Sequence, residues 1–212
     1  MKSNIYLASS TSKVIDSLMS EIGSSKLTMA IITTATEPVK DKSYYEADKQ
    51  AIDAQKNLQT FEYTLTDKSK QRLTQDLTDV DIIYVVGGNV FYLLQQAQKS
   101  GFAAIVHKHV TAGKIYIGQS AGSIIAGPNI WPARRSDMVD KAPDIQGYEG
   151  FGIVNFITLP HWGEPKKREL YFKERLPNVF NQDYIYVPLT DNQYISFSGS
   201  GYRIVDVSPK VL

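Results

Sequence analysis

The sequence predicts an α/β fold, in which a three-layer arrangement places helices on both faces of a mostly parallel central sheet. Short β-branched runs alternate along the chain with longer amphipathic ones, which is the pattern of βαβ units. The run "DIIYVVGG" at 81–88 is almost continuously apolar and suits a strand that is buried on both faces. With 212 residues, of which 42% are hydrophobic, the chain is long enough for one such domain over 1–212.

The first part of the chain alternates regularly between strands and helices. The predicted strands are 4–9, 28–35, 60–66, 81–88 and 114–120. The predicted helices are 12–23, 43–59, 67–77, 89–101 and 102–113. Asn89 and Gly101 are typical residues for the start and the end of a helix, and they support the bounds of the fourth helix.

The second part of the chain begins with a long loop at 128–150, which is rich in proline, glycine and charged residues. A strand at 153–160 is expected to resume the sheet, and a helix is expected at 164–176. Three closing strands are predicted at 184–189, 193–199 and 202–207.

The composition excludes several classes of function. The formal net charge is +1, and basic residues are mostly interspersed with acidic ones, so we expect neither nucleic acid nor a membrane surface as a partner. The absence of cysteine excludes disulfides, thiolate metal sites and a cysteine nucleophile. No metal or organic cofactor is expected, because no ligand spacing such as H-E-x-x-H is present. The lack of a secretory signal or a long apolar run predicts a cytoplasmic protein, while the number of subunits stays open.

One serine lies between glycines directly after an apolar run. The segment "GQSAG" at 118–122 has the pattern of a nucleophile elbow, in which small neighbours allow a sharp turn that exposes a hydroxyl at a helix N-terminus. Ser120 is therefore a candidate nucleophile, because the segment follows a predicted strand and opens an apolar helix. The alternative is that Ser120 is simply the N-cap of that helix.

A serine hydroxyl needs a base that takes its proton, and the chain contains three histidines. His107 and His109 lie two positions apart in one predicted helix and so on different faces, where solvated or packing roles are expected. His161 follows the predicted strand 153–160, and the carboxyl ends of parallel strands share one edge of a sheet. We therefore expect His161 to lie near Ser120. A histidine in a surface loop is the alternative.

The third member of such a site is a carboxylate that orients the imidazole and stabilises its cation. Asp191 ends another predicted strand. Asp137, Asp140 and Glu164 compete with it. Asp191 is also explained as a turn residue, because Asp-Asn between two strands is favourable turn chemistry.

Backbone N–H groups are needed to stabilise negative charge on the reacting oxygen. Gly88, after an apolar strand, is one candidate donor because glycine lets the main chain approach a ligand closely. The amide of Ala121 is the second candidate. The paired glycines at 87–88 could instead bind phosphate at a helix N-terminus, but the segment lacks the Rossmann spacing and the lysine of a P-loop.

Three segments, "VVGGNVFYLL", "IYIGQSAGSIIAGP" and "ITLPHW", in this order and at these separations, resemble peptidase family S51, which includes dipeptidase E and cyanophycinase. The similarity spans nearly the whole chain. It implies a fold like that of class I glutamine amidotransferases, with a serine where those enzymes use cysteine. It also implies that Ser120 is the nucleophile, His161 the base, and the amides of Gly88 and Ala121 the oxyanion donors.

The same resemblance bears on the acid and on the substrate. The glutamate of the family's triad falls on Asp191, whose side chain is shorter by a methylene, and we prefer this residue to Asp137. Family dipeptidases favour an N-terminal aspartate and bind its carboxylate through a basic residue after the histidine. Lys166 is nearest to that position, in the first turn of a predicted helix where cations oppose the macrodipole. Solvated, screened side chains at Lys166, Lys167 and Arg168 are the alternative.

The predicted function is that of a serine hydrolase that cleaves the amide bond of small peptides, with a preference for an acidic N-terminal residue. Two other functions stay open. An esterase of the α/β-hydrolase type orders its triad as serine, acid and histidine, which Asp137 would fit. A non-catalytic ligand-binding domain of the same fold would keep Ser120 as a helix cap.

Overall fold

The computed structural model describes residues 4–134, 136–199 and 201–209, without the side chains of Ser136, Asp137 and Asn178. Its centre is a seven-stranded sheet with the strand order β3-β2-β4-β5-β1-β8-β9. The strands are β1 (Ile5–Ala8), β2 (Leu27–Ile32), β3 (Leu58–Tyr63), β4 (Ile82–Val85), β5 (Ile115–Gln119), β6 (Phe156–Leu159), β7 (Ile185–Pro188), β8 (Gln193–Ser198) and β9 (Gly201–Asp206).

Strands β1 to β5 pair in parallel, and β8 and β9 extend the sheet in antiparallel fashion. The helices are α1 (Thr11–Ile22), α2 (Ser43–Asp53), α3 (Lys70–Leu77), α4 (Val90–Ser100), α5 (Phe102–Thr111), α6 (Ala121–Ile125), α7 (Ser136–Val139), α8 (Pro165–Leu170) and α9 (Leu176–Val179). A π-helical turn at Tyr171–Arg175 joins α8 to α9. Within the described ranges, no helix combines the length and apolar character that crossing a bilayer requires.

Helices cover both faces of the central sheet, as the sequence predicted. Successive side chains of a strand point to opposite faces, so Ile83 of β4 packs in one core cluster and its neighbour Tyr84 in another. The first cluster is closed by α3 to α6 and the second by α1 and α2. The continuous apolar run of β4 is thereby explained, since all four of its residues are buried.

The start and end signals of α4 are confirmed. The Asn89 side chain accepts hydrogen bonds from the backbone N–H groups of Phe91 and Tyr92, each at 3.0 Å, which satisfies two of the donors exposed at a helix start. Gly101 ends the helix in the left-handed conformation, with φ of 70°. This cap brings Asn89 to the carboxyl end of β4.

The expectation that 153–160 and 184–189 join the central sheet is wrong. Phe156–Leu159 and Ile185–Pro188 instead pair in parallel with each other and form a separate two-stranded sheet, which we call the small sheet. Both sides of β1 are already occupied, by β5 and by β8, so no position beside it is free. An apolar run predicts a buried strand without indicating its partner.

The helix predicted at 43–59 and the strand after it are also shifted. The helix ends at Asp53, and β3 begins at Leu58 rather than at residue 60. The carbonyl of Asn57 accepts a hydrogen bond from the backbone N–H of Leu27, so the chain is already aligned with β2 at this point. Pairing with the neighbouring strand thus overrides the helix-forming residues at 54–57.

Candidate active site

Ser120 occupies a sharp turn between β5 and α6. Its φ of 49° and ψ of −102° are unusual for a residue with a side chain. The flanking glycines permit the turn by close approach, because a Cβ on Gly118 would lie 2.4 Å from the carbonyl oxygen of Gly122, and one on Gly122 would lie 2.1 Å from that of Val85. The local sequence therefore forces the serine outward at the carboxyl edge of the sheet.

The Ser120 side chain does not cap the helix that follows it. It makes no cap hydrogen bond, and its Oγ lies 3.1 Å from Nε2 of His161. The alternative of an ordinary capping serine therefore does not hold. The backbone N–H of Ser120 donates to the carbonyl of Ala8 at 2.9 Å, which fixes the turn against the end of β1.

His161 lies two residues after β6 and contacts both Ser120 and a carboxylate. Its backbone has φ of 62°, and its Nδ1 lies 2.7 Å from Oδ1 of Asp191. A neutral imidazole that donates from Nδ1 to the carboxylate presents a free lone pair on Nε2 to the serine hydroxyl. Both side chains are partly buried, with 24% and 33% of their surfaces exposed, so the pair stays accessible to a small molecule.

The competing carboxylates are placed differently. Asp191 lies in the turn before β8, so its turn position and its contact with His161 coexist. The side chain of Asp137 lies outside the described residues, and Asp140 is exposed. Glu164 is exposed too, but a ligand atom from each of Glu164, His161 and Asp191 lies within 4.8 Å of the others. A cation held there would have to displace the hydrogen bond that the His161 ring makes to Asp191 or to Ser120.

The other two histidines lie on α5 and do not line the cleft around Ser120. Nε2 of His107 lies 2.5 Å from the carbonyl oxygen of Phe151, and Nε2 of His109 lies 2.9 Å from that of Ile115. Burial lowers the pKa of His109 to about 4, because a charged imidazole would lose its hydration there. His109 is a neutral core residue.

Two backbone N–H groups beside Ser120 have no acceptor among the described residues. They belong to Gly88, which follows β4, and to Ala121, the first residue of α6. Gly88 has φ of 136°, and a Cβ there would lie 2.2 Å from the carbonyl oxygen of Ala35, so only glycine fits. They are the two donors that the sequence analysis predicted for binding an oxyanion. Gly88 lines the same cleft as Ser120.

Gln119 was missed by the sequence analysis. Its side chain is buried beneath the turn, where Oε1 accepts a hydrogen bond from the N–H of Gly87 and Nε2 donates to the carbonyl of Ser9 at 3.1 Å. The amide thus links the glycine loop after β4 to the end of β1. The glutamine of the elbow segment carries no sequence signal for this role, which depends on the spacing of three strands.

The cleft that contains Ser120 has a volume of about 950 Å³ and charges of both signs. Its cationic members are Lys40, Lys141 and Lys167. Lys166, the candidate from the sequence, is exposed and is not among the lining residues. Consecutive helical residues point about 100° apart, so only one of the two lysines on α8 faces the cleft.

Asp48 is a second residue that the sequence analysis missed. This aspartate of α2 lines the cleft, yet it is 2% exposed. Its Oδ1 accepts a hydrogen bond of 2.7 Å from the backbone N–H of Ser12, in the first turn of α1. Burial raises the pKa of the Asp48 carboxyl, while the bond from Ser12 opposes this shift. Among the polar residues Glu46, Lys49 and Gln50 of α2 this aspartate looks solvent-facing in the sequence, and only the packing of α2 on α1 reveals its burial.

Comparison with known proteins identifies the family of this chain. The model of peptidase family S51 matches residues 3–205. The chain belongs to peptidase family S51. Over 169 residues it is 34% identical to an uncharacterized peptidase of Listeria monocytogenes, which covers 79% of this chain and 82% of the relative. It is also 33% identical to peptidase E of Shewanella amazonensis over 88 residues, 42% of this chain and 36% of the relative.

The fold is similar to that of solved structures of peptidases. A candidate peptidase E of Listeria monocytogenes superposes with a TM-score of 0.88 and 30% identity, covering 97% of this chain and 99% of the other. A peptidase from an acI-B1 actinobacterium has the same fold, with a TM-score of 0.65 and 16% identity over 97% and 88% of the two chains. The chain is therefore a peptidase E-like member of the family, as its motifs predicted.

Proposed function

We propose that this protein is a serine peptidase that hydrolyses small peptides, with Ser120 as nucleophile, His161 as general base and Asp191 as the acid of the triad. The continuous hydrogen-bonded series from Ser120 through His161 to Asp191 carries this proposal, because it is the arrangement that activates a serine hydroxyl. The S51 family relationship supports hydrolysis of a peptide bond rather than of an ester.

The reaction follows from the positions of these groups. Nε2 of His161 takes the Ser120 proton as Oγ attacks the carbonyl carbon, and the carbonyl electron pair moves onto oxygen. The N–H groups of Gly88 and Ala121 bind that oxyanion, and the Asp191 carboxylate stabilises the imidazolium. When the C–N bond breaks, the departing amine takes the proton from His161. Water then attacks the acyl-serine with His161 again as base, which releases the acid and restores Ser120.

The cleft supports a small, charged substrate. A volume of about 950 Å³ is sufficient for a dipeptide and falls within the range of small-molecule sites. The lining contains lysines as well as carboxylates, so both termini of a zwitterionic peptide can find a partner. Lys167 is the cation that we assign to an acidic side chain at the first residue of the substrate, in place of Lys166.

A dipeptide panel tests this function. Purified protein is incubated with dipeptides that share the second residue and carry Asp, Glu, Asn, Ala or Leu first, and the released amino acids are quantified. We expect fastest hydrolysis with an acidic first residue, no loss of rate with EDTA, and a fall in kcat of roughly 10⁴-fold or more for Ser120→Ala.

A fluorophosphonate probe tests the nucleophile separately. The expected product is a phosphonylated Ser120 in the folded protein, located by mass spectrometry, with fluoride as the leaving group. Absence of both the adduct and dipeptide hydrolysis would overturn the proposal. Hydrolysis that survives in Ser120→Ala would overturn the assignment of the nucleophile.

A further inference from the structure

Ser9 lies where the central sheet meets the small sheet. It directly follows β1 and is fully buried. Its hydroxyl donates a hydrogen bond of 3.0 Å to the carbonyl of Leu189, which follows β7, and accepts one of 3.2 Å from the backbone N–H of His161, which follows β6. The Ser9 side chain therefore contacts the segments that follow both strands of the small sheet, and these segments carry His161 and Asp191.

The same end of β1 also holds the nucleophile. In the parallel pairing of β1 with β5, Ala8 lies opposite Gln119, so Ser9 and Ser120 emerge side by side. The carbonyl of Ala8 accepts the N–H of Ser120 at 2.9 Å, and the carbonyl of Ser9 accepts the Gln119 amide at 3.1 Å. The backbone at 8–9 thus holds the turn at Ser120, while the Ser9 hydroxyl holds the backbone of His161.

The His161 backbone needs such support. Its φ of 62° lies in the left-handed region, which costs a residue with a Cβ free energy and persists where neighbouring groups hold it. The Leu189 carbonyl that accepts the Ser9 hydroxyl also accepts the N–H of Trp162 at 2.9 Å. The Leu189 carbonyl therefore holds the N–H of Trp162 directly and the N–H of His161 through the Ser9 hydroxyl.

We propose that Ser9 is a positioning residue for the hydrolysis, which sets the distance between Nε2 of His161 and Oγ of Ser120. It acts through the His161 backbone and touches no reacting atom. This inference rests on the proposed function, since the distance matters only if Ser120 and His161 act as nucleophile and base. A serine that merely satisfies the Leu189 carbonyl would contribute to stability alone.

Kinetic constants distinguish these two roles. Ser9→Ala should lower kcat by 10- to 100-fold with KM changed less than twofold, because a displaced base slows chemistry without altering the cleft. Ser9→Thr, which keeps the hydroxyl, should restore kcat to within about threefold of the wild-type value. Ser100→Ala is the matched control, because Ser100 is a buried serine whose hydroxyl donates to the Gln96 carbonyl at 2.7 Å on α4. Ser100→Ala should lower the free energy of unfolding and leave kcat unchanged.

A readout without substrate keeps this inference separate from the proposed function. The rate of Ser120 labelling by the fluorophosphonate should fall in Ser9→Ala by the same factor as kcat, and the ¹⁵N resonances of the His161 ring should shift at constant pH. If the wild-type protein hydrolyses no dipeptide, but Ser120 is labelled more slowly in Ser9→Ala than in the wild type, the positioning role stands and the substrate proposal fails. If folded Ser9→Ala keeps the wild-type labelling rate and the wild-type ¹⁵N resonances of the His161 ring, the positioning role is refuted and the proposed function stays intact. Equal losses in Ser9→Thr and Ser9→Ala, with both folded, would also refute it.

Discussion

Nδ1 of His161 and Oδ1 of Asp191 lie 2.7 Å apart, although 30 residues separate them in the chain. The two residues follow the paired strands β6 and β7, whose last residues, Leu159 and Pro188, are register partners. Parallel pairing in the small sheet therefore brings the His161 imidazole and the Asp191 carboxylate to the same edge. The Asp191 side chain reaches the imidazole there, although the resembling family pattern has a glutamate.

The first prediction concerns this carboxylate. Asp191→Asn should lower kcat by roughly 10²- to 10⁴-fold, because an amide no longer holds the imidazole in the tautomer that accepts the Ser120 proton. The measurement is steady-state kinetics on the best dipeptide, with Asp137→Asn as the matched control. A large loss confined to Asp137→Asn would transfer the role to that residue and restore the serine, acid, histidine order.

The second prediction concerns the choice between two adjacent lysines. Lys167→Met should lower kcat/KM for a dipeptide with an acidic first residue about tenfold, because it removes a cation from the cleft. Lys166→Met removes the same charge from the exposed side of α8 and should change this value less than twofold. The ratio of kcat/KM for Asp-first over Ala-first dipeptides is the quantity to compare. A fall in that ratio in Lys166→Met alone would reinstate the candidate chosen from the sequence.

The third prediction is a pH dependence of stability at His109. Its folded pKa of about 4 lies below the usual 6.5, so between these values the unfolded chain binds one more proton than the folded chain. The free energy of unfolding should therefore decrease as the pH falls from about 6.5 to about 4, by roughly 3 kcal/mol from this residue.

Urea unfolding at a series of pH values measures this effect. His109→Gln should lose the proton-linked part of the slope, so the gap between wild type and variant narrows towards pH 4. His107→Gln is the control, because His107 lies on the exposed side of the same helix. An unchanged slope in His109→Gln would show that His109 is not the group that takes up the proton.

The fourth prediction concerns the elbow. Gly122→Ala should destabilise the protein by about 1–3 kcal/mol, because the added Cβ meets the Val85 carbonyl of a rigid central strand. Gly199→Ala is a matched control whose Cβ meets no atom within 4 Å, and its midpoint in urea should stay close to that of the wild type. Equal midpoints for the two variants would contradict the tight packing of α6 on β4.

The residues of the candidate site that the sequence indicated are those with local signatures. Ser120 was found from a five-residue pattern between a strand and a helix, and Asn89 from the capping preference at a helix start. His161 was found because it ends an apolar run. These signals lie within a few residues of the side chain concerned and do not depend on which strands become neighbours.

The features that escaped the sequence depend on distant pairings. Ser9 and Leu189 are 180 residues apart, and Gln119 and Gly87 are 32 apart, so no window along the chain joins them. The small sheet escaped for the same reason, since the run at Phe156–Leu159 is equally apolar in either sheet. Lys166 was chosen because it is nearest to the basic position of the resembling family, and a sequence does not give the rotation of a helix about its axis.

One face of the small sheet has its own hydrophobic cluster, built on Ile157, Leu159 and Tyr171, whereas Phe156 and Val187 on its other face pack in the first cluster of the central sheet. A two-stranded unit that packs on the rest of the molecule through one face can open at lower free energy than the whole molecule. On warming, we expect catalytic turnover to cease before the central strands melt, with amide hydrogens at 156–159 exchanging with deuterium ahead of those at 82–85. Heat inactivation of this peptidase would then be reversible on cooling, because the central sheet that carries Ser120 stays folded.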